Sequence, residues 1–233
     1  MTRSRWSSSA ARGWSIAAAL AAVAALASIP AQDAGAATVL ERTVEITIQP
    51  SGGVREHEAI QVRLDEARDF DAWSSYALYL DENRTLASAD AYVLQPDGKR
   101  AKVGRKDRDS VDSWGDGILH TSGRFHVLDF SGLRVGSVLV VDSVVDERPY
   151  FPAGEVLLAL DDPTERLRVA ISGGGAGWRW RLDGPAEGIR VEETTGGVVV
   201  TAAGLARPSL PPLAPGGAVA APMLRYAWGT EAT

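Results

Sequence analysis

Hydrophobic and polar residues alternate with a period of two along much of the chain. Residues 43–48 place Val44, Ile46 and Ile48 on one face and Thr43, Glu45 and Thr47 on the other, the mark of a half-buried strand. The turn cluster Gln49-Pro50-Ser51-Gly52-Gly53 follows. A second run then sets Ile60, Val62 and Leu64 inward and Arg55, His57, Gln61 and Arg63 outward, so the two runs are expected to form a hairpin. Residues 65–75 lose the alternation and are dense in Asp, Glu and Arg, which predicts a loop or short helix; Tyr76, Leu78 and Leu80 resume it. Residues 89–103 carry two runs around Pro96-Asp97-Gly98, where proline presets φ at the first corner of a turn and glycine takes the positive φ. Ala91 and Val93 share one face there, Tyr92 and Leu94 the other, and this hairpin is expected at the centre of the fold.

Residues 104–117 read as charged and irregular, and residues 118–128 and 137–145 as strands. Val138-Leu139-Val140-Val141 is apolar on both faces, which predicts a central strand. A proline-bounded loop with Tyr150 and Phe151 precedes four more short strands at 167–172, 178–182, 189–193 and 198–202. Residues 208–222 hold five prolines and no strand pattern, which suits an extended wrap or linker. About ten short strands without helical periodicity predict an all-β fold: a large two-sheet antiparallel β-sandwich with few or no helices. It is expected over residues 37–205, with 206–233 as a proline-rich C-terminal segment packing on or leaving the sandwich.

The first 36 residues read differently. Arg3, Arg5 and Arg12 make a basic start, an Ala/Leu/Val run extends from Ile16 to Ile29, and Ala34-Gly35-Ala36 supplies small residues before Ala37. This is the pattern of a secretory signal peptide cleaved after Ala36, which predicts export to the periplasm or medium. The run is shorter than the roughly 20 residues of a membrane span, and no later segment is apolar enough to cross. Removing three arginines and Asp33 takes the formal net charge from −6 to −8. A mildly acidic surface argues against nucleic acid as a partner. The chain has no cysteine, so in a compartment that permits disulfides its stability rests on core burial.

Without cysteine, thiol nucleophiles and thiolate-ligated metals are excluded. His120, Ser122 and Asp129 are close in sequence, but the Gly-x-Ser-x-Gly elbow is missing and Ser122-Gly123 reads as a turn. His120 and His126, six apart, lack a third ligand of suitable spacing for zinc. Asp107, Asp109, Asp112 and Asp116 do not follow the spacing of a calcium loop, and Arg105, Lys106 and Arg108 offset them; a solvated loop is expected. Neither a metal, a cofactor nor a catalytic residue is therefore predicted. Trp178-Arg179-Trp180-Arg181 alternates two indoles against two guanidiniums. The indoles either plug the core or form an aromatic platform for a sugar or protein; Tyr150, Phe151 and Trp228 are further aromatic anchors.

Several stretches taken in order carry a resemblance. They are Tyr79-Leu80-Asp81-Glu82-Asn83-Arg84-Thr85-Leu86, then Ala91-Tyr92-Val93 into Gln95-Pro96-Asp97-Gly98-Lys99, then Phe130, Val135-Gly136-Ser137-Val138 and Pro149-Tyr150-Phe151. Leu210-Pro211-Pro212 to Ala221-Pro222 completes the series. From about Val39 onward the chain resembles the uncharacterised bacterial β-sandwich domain that precedes transglutaminase-like domains in exported proteins. The resemblance implies a sandwich, export and the neighbourhood of a papain-like Cys-His-Asp domain, whose nucleophile a chain without cysteine does not contain. The expectation is a non-catalytic module that binds or positions a protein or glycan partner in the cell envelope, with Trp178, Trp180, Tyr150 and Phe151 as candidate contacts. Two alternatives stay open: a carbohydrate-binding module with an aromatic platform, and the front part of a transglutaminase-like enzyme.

Overall fold

The computed structural model describes residues 37–112, 123–208 and 221–229; the stretch read as a signal peptide and most of the proline-rich stretch lie outside them. The first hairpin is as expected, with β1 (Thr38–Ile48) antiparallel to β2 (Val54–Arg63). A one-turn helix, α1 (Asp69–Trp73), fills the charged stretch and leads to β3 (Ser75–Leu80). Then come β4 (Arg84–Leu94), β5 (Arg100–Lys102), a 3₁₀ turn at Arg105–Asp107, β6 (Arg108–Asp112) and β7 (Arg124–Asp129). They are followed by β8 (Val138–Glu147), β9 (Ala153–Leu157), β10 (Thr164–Ser172) and a 3₁₀ turn at Gly175–Gly177. The series ends with β11 (Arg179–Asp183), β12 (Ile189–Thr194), β13 (Gly197–Leu205) and β14 (Met223–Ala227).

The protein is all-β. Eight strands form one sheet in the order β12-β13-β10-β1-β2-β8-β4-β5, and two three-stranded sheets, β11-β14-β9 and β3-β7-β6, make up the rest. The pairing of β1 with β10 is parallel, and the ladder is otherwise antiparallel. No crossover helix is needed for that parallel pair, because the connection is the run of strands from β2 to β9.

Two hydrophobic cores lie on the same face of the large sheet. The first joins Val44, Ile46 and Ile48 of β1 and Val169 and Ile171 of β10 to Val156, Leu224 and Tyr226 of the β11-β14-β9 sheet. The second joins Ile60, Val62 and Leu64, Ala91 and Val93, and Leu139 and Val141 to Leu78 and Leu128 of the β3-β7-β6 sheet. Val54, in the first core, and Ile60 and Val62, in the second, are spaced by even numbers along β2, so they share one of its faces. The sandwich's second layer is thus divided into two small sheets over one large one. The opposite face carries cross-strand ion pairs such as Arg55–Asp146 at 2.7 Å and Arg168–Glu45 at 3.2 Å, the composition of a solvated face.

Strand β8 lies between β2 and β4, the central place its apolar run predicted. The 89–103 hairpin is a correction. Its turn forms as expected, with the Gly98 amide donating to the Gln95 carbonyl at 2.9 Å and Gly98 at φ 83. Its second strand, β5, is nevertheless the outer edge of the large sheet. Arg100, Ala101 and Lys102 are all exposed, as suits a strand with one free side. The guanidinium of Arg100 stacks on the Tyr92 ring, 3.5 Å from its centre, and Lys102 pairs with Asp90 at 2.9 Å. The stretch read as irregular contains β6, an edge strand so polar that alternation did not reveal it. Likewise β14, beyond the proline-rich stretch, is the middle strand of its sheet.

Candidate functional site: a charged cleft between the two small sheets

Between the two cores, positions that alternation assigns to the apolar face are occupied by charged residues. On β2, Glu56 and Glu58 fall in phase with Val54, Ile60 and Val62. On β1 the register shifts between Val39 and Glu41, a bulge that turns both Val39 and Arg42 to the inner side. Glu147 of β8 is in phase with the buried Leu139, Val141, Ser143 and Val145, and Arg84 of β4 is its cross-strand partner. These side chains form the floor of a cleft running obliquely across β1, β2, β8 and β4.

Each charge on the floor is answered by another. Arg42 Nε donates to Glu58 Oε1 at 2.6 Å, and its Nη1 donates to the Leu157 carbonyl of β9 at 2.6 Å. Glu58 Oε2 accepts from the Tyr76 hydroxyl of β3 at 2.9 Å. Arg84 bridges Glu147 at 2.7 Å and Glu56 at 2.9 Å. Burial would lower the Arg84 pKa, but Glu56 and Glu147 outweigh it and hold the guanidinium above its ordinary value. Burial foremost, then the charge and hydrogen bond of Glu58, raises the Tyr76 phenol; burial, Glu56 and Glu147 raise Tyr226. Both phenols are therefore neutral hydrogen-bonding groups at neutral pH.

Two adjoining cavities, of about 350 and 500 Å³, share Arg84, Glu147 and Pro149. Residues 153–157 of β9 wall one, and residues 76–79 of β3 wall the other. The loop from β8 to β9 forms the mouth. Tyr150 lines it and donates to Glu82 Oε1 at 3.0 Å; Tyr150 is 75% and Phe151 77% exposed.

Trp178 and Trp180 occupy a different place. Both are partly buried against the first core, with Arg179 and Arg181 facing outward. Trp180 Nε1 donates to Glu193 at 3.0 Å, and the Trp178 ring lies 5.9 Å from that of Tyr226, which stacks on Trp228. Gly154 makes this arrangement possible. It is the cross-strand partner of Tyr226, and a Cβ there would overlap the tyrosine's hydroxyl and ring.

His120, Ser122 and Asp116 lie outside the described residues, while Asp129 is at the exposed end of β7. Asp107, in the 3₁₀ turn, accepts from the Gly104 amide at 3.0 Å and Asp109, in β6, from that of Ser110 at 2.7 Å, so these acids serve nearby backbone. His126, on β7, has a buried Nε2 with no hydrogen-bond partner among the described residues. Burial first, then Arg108 and Arg124, depress its pKa. Such a group contributes stability in full above its ordinary pKa of about 6.5, and that contribution is lost as pH falls through the lower folded-state value. Acidification from neutrality is expected to reduce the urea midpoint less in His126→Gln than in the parent; equal reductions would contradict this.

Tyr150 and Phe151 are candidates from the sequence, whereas the residues of the cleft floor are not among them. A signal was present: Glu56 and Glu58 share the parity of Ile60 and Val62, placing two carboxylates on a core-facing row.

The comparisons agree with this architecture. Residues 42–195 match a domain of unknown function with a solved structure (DUF3857). No curated protein matches the chain. Among solved structures, a candidate protease from Parabacteroides distasonis is similar at a TM-score of 0.72 and 19% identity, over 82% of this chain and 40% of that one. The M1 zinc metallopeptidase of Deinococcus radiodurans gives 0.38 at 13% identity, over 82% of this chain and 42% of its own. The first of these likenesses shows a shared fold, and this chain spans about two-fifths of that protein's length. The family match begins in β1 and ends just after β12, taking in the whole floor of the cleft, and the protein belongs to the DUF3857 family.

Proposed function

We propose that this protein is a non-catalytic exported module that holds a protein or glycan partner in the cell envelope, working beside transglutaminase-like or peptidase-like enzymes. The observation that carries the reading is the charged cleft. An ion pair taken out of water gains little over apolar residues of the same volume, so stability alone gives poor grounds for five charged side chains on a core-facing row. Their mutual pairing favours recognition over acid–base chemistry, because each carboxylate is engaged by a guanidinium. Exposed Tyr150 at the mouth, with exposed Phe151 beside it in the same loop, supplies the amphipathic and apolar contacts that anchor binding surfaces. Export is supported by the basic and apolar N-terminal pattern, and the enzymatic neighbourhood by the resemblance noted above. Trp178 and Trp180, half-buried against the core, favour the carbohydrate-platform reading less.

The test has two arms. The purified chain is assayed for hydrolysis and acyl transfer on peptide and ester substrates, and for binding to envelope fractions alongside a Tyr150→Ala/Phe151→Ala variant. The expected result is no turnover, with binding that the variant loses. Turnover abolished by Glu58→Gln, or binding unchanged in the aromatic variant, would overturn the reading.

A further inference from the structure

The two walls of the cleft are both sheet edges. Strand β9 ends the order β11-β14-β9, and β3 ends the order β3-β7-β6. Their hydrogen-bonding phase can be read from the ladder ends. The Leu158 amide donates to the Pro222 carbonyl at 2.9 Å, so Val156 and Gly154 face β14, while Glu155 and Leu157 direct their backbone groups away from it. The Phe130 amide donates to the Ser74 carbonyl at 2.8 Å, so Tyr76 and Leu78 face β7, while Ala77 and Tyr79 direct theirs to the free edge. A hydrogen-bonded chain from the Leu157 carbonyl through Arg42 and Glu58 to Tyr76 joins the two edges across the floor. One outward backbone group of β9 is thus already held by a floor side chain, and the others have no partner strand among the described residues.

The geometry points to a peptide-accepting site: an extended chain carrying a lysine or arginine pairs its backbone with β9 and β3 and points that cation at the floor. This deepens the binding function proposed above and rests on it. Exposed strand edges recruit extended peptides by backbone pairing, with alternate side chains read by what lies beneath. The residues lining the two cavities set the preferred charge. Arg42, Arg84 and Arg148 are outnumbered by Glu56, Glu58, Glu147, Glu155 and Asp81, a formal excess of two negative charges. A neutral backbone with a cationic side chain complements that balance, and a carboxylate does not.

The experiment titrates the full chain with three blocked peptides of about nine residues, a strand's length, alternating threonine and valine around a central lysine. The second peptide has glutamate for the lysine, and the third keeps the lysine but is methylated at alternate backbone nitrogens. Amide shifts of Ala77, Tyr79, Glu155 and Leu157 report occupancy. The lysine peptide is expected to shift both edges, the glutamate peptide to bind about tenfold more weakly, a difference of about 1.4 kcal/mol, and the methylated peptide not to bind. Ala77→Pro removes an outward amide without touching the β7 ladder, and is expected to weaken the lysine peptide at unchanged thermal midpoint. Equal binding of the methylated peptide, or cleft shifts produced only by an N-acetylglucosamine oligomer, would overturn strand pairing while leaving the binding function standing. If no peptide binds and the aromatic variant still retains envelope binding, both readings fall.

Discussion

Replacing Arg42 with leucine is expected to lower the protein's stability by about 3 to 5 kcal/mol, while replacing Arg42 and Glu58 together is expected to recover about half of that loss. The two side chains are 11% and 14% exposed, so their pairing is largely shielded from solvent. Removing the guanidinium leaves Glu58 charged beneath two small sheets, facing only the Tyr76 hydroxyl, and takes the donor from the Leu157 carbonyl. Removing both charges deletes the desolvation problem and lets apolar volume join the cores on either side. Recovery should stop short of full, because the Leu157 carbonyl and the Tyr76 hydroxyl then lack their protein partners, each a deficit of about 1 kcal/mol. Urea unfolding of the parent, both single variants and the double variant measures the cycle. A double variant no more stable than Arg42→Leu would mean that the pair is not the unit described here.

Gly154→Ala is expected to destabilise by about 1 to 3 kcal/mol, although a single methyl group is added to an edge strand. The cause is Tyr226. Its ring covers Gly154 from the neighbouring strand, and a Cβ there would lie 2.5 Å from Cζ and 3.0 Å from Cε1. The ring has little freedom to move aside, because it lies against Trp178 at 5.9 Å and stacks on Trp228 at 5.9 Å. Near-ultraviolet circular dichroism should change with the aromatic packing, and Gly154→Ala/Tyr226→Leu should remove the overlap and narrow the stability gap to Tyr226→Leu alone. Unchanged stability in Gly154→Ala would contradict the packing.

The parts of the fold that two-residue alternation encodes were legible from the sequence. Val44, Ile46 and Ile48, then Ile60, Val62 and Leu64, and Leu78 with Leu80 are all buried as their spacing required. Three other features depend on physics that alternation does not carry. A bulge between Val39 and Glu41 reverses the phase of β1, so Arg42 points inward although straightforward counting from Val39 would turn it out. The edge strand β6 carries polar residues on both sides, which removes the periodic signal. The hairpin around Pro96-Asp97-Gly98 has a strong turn signature, but turn chemistry is local and says nothing of whether its strands end up central or peripheral. The cleft itself was half legible. Glu56 and Glu58 announced charge on a core-facing row, whereas Arg84 comes from a strand whose place only the sheet order reveals, and Arg42 is turned inward by the β1 bulge.

Among the described residues two unpaired strand edges flank the charged floor, and backbone amide exchange in the ligand-free protein reads their state residue by residue. A two-residue alternation is expected along both edges. Leu78 and Val156, bonded within their own sheets, exchange slowly, while Ala77, Tyr79 and Glu155, directed into the cleft, exchange fast. Protection of Ala77, Tyr79 and Glu155 equal to that of Leu78 and Val156 would show the edges already covered, and would contradict that expectation.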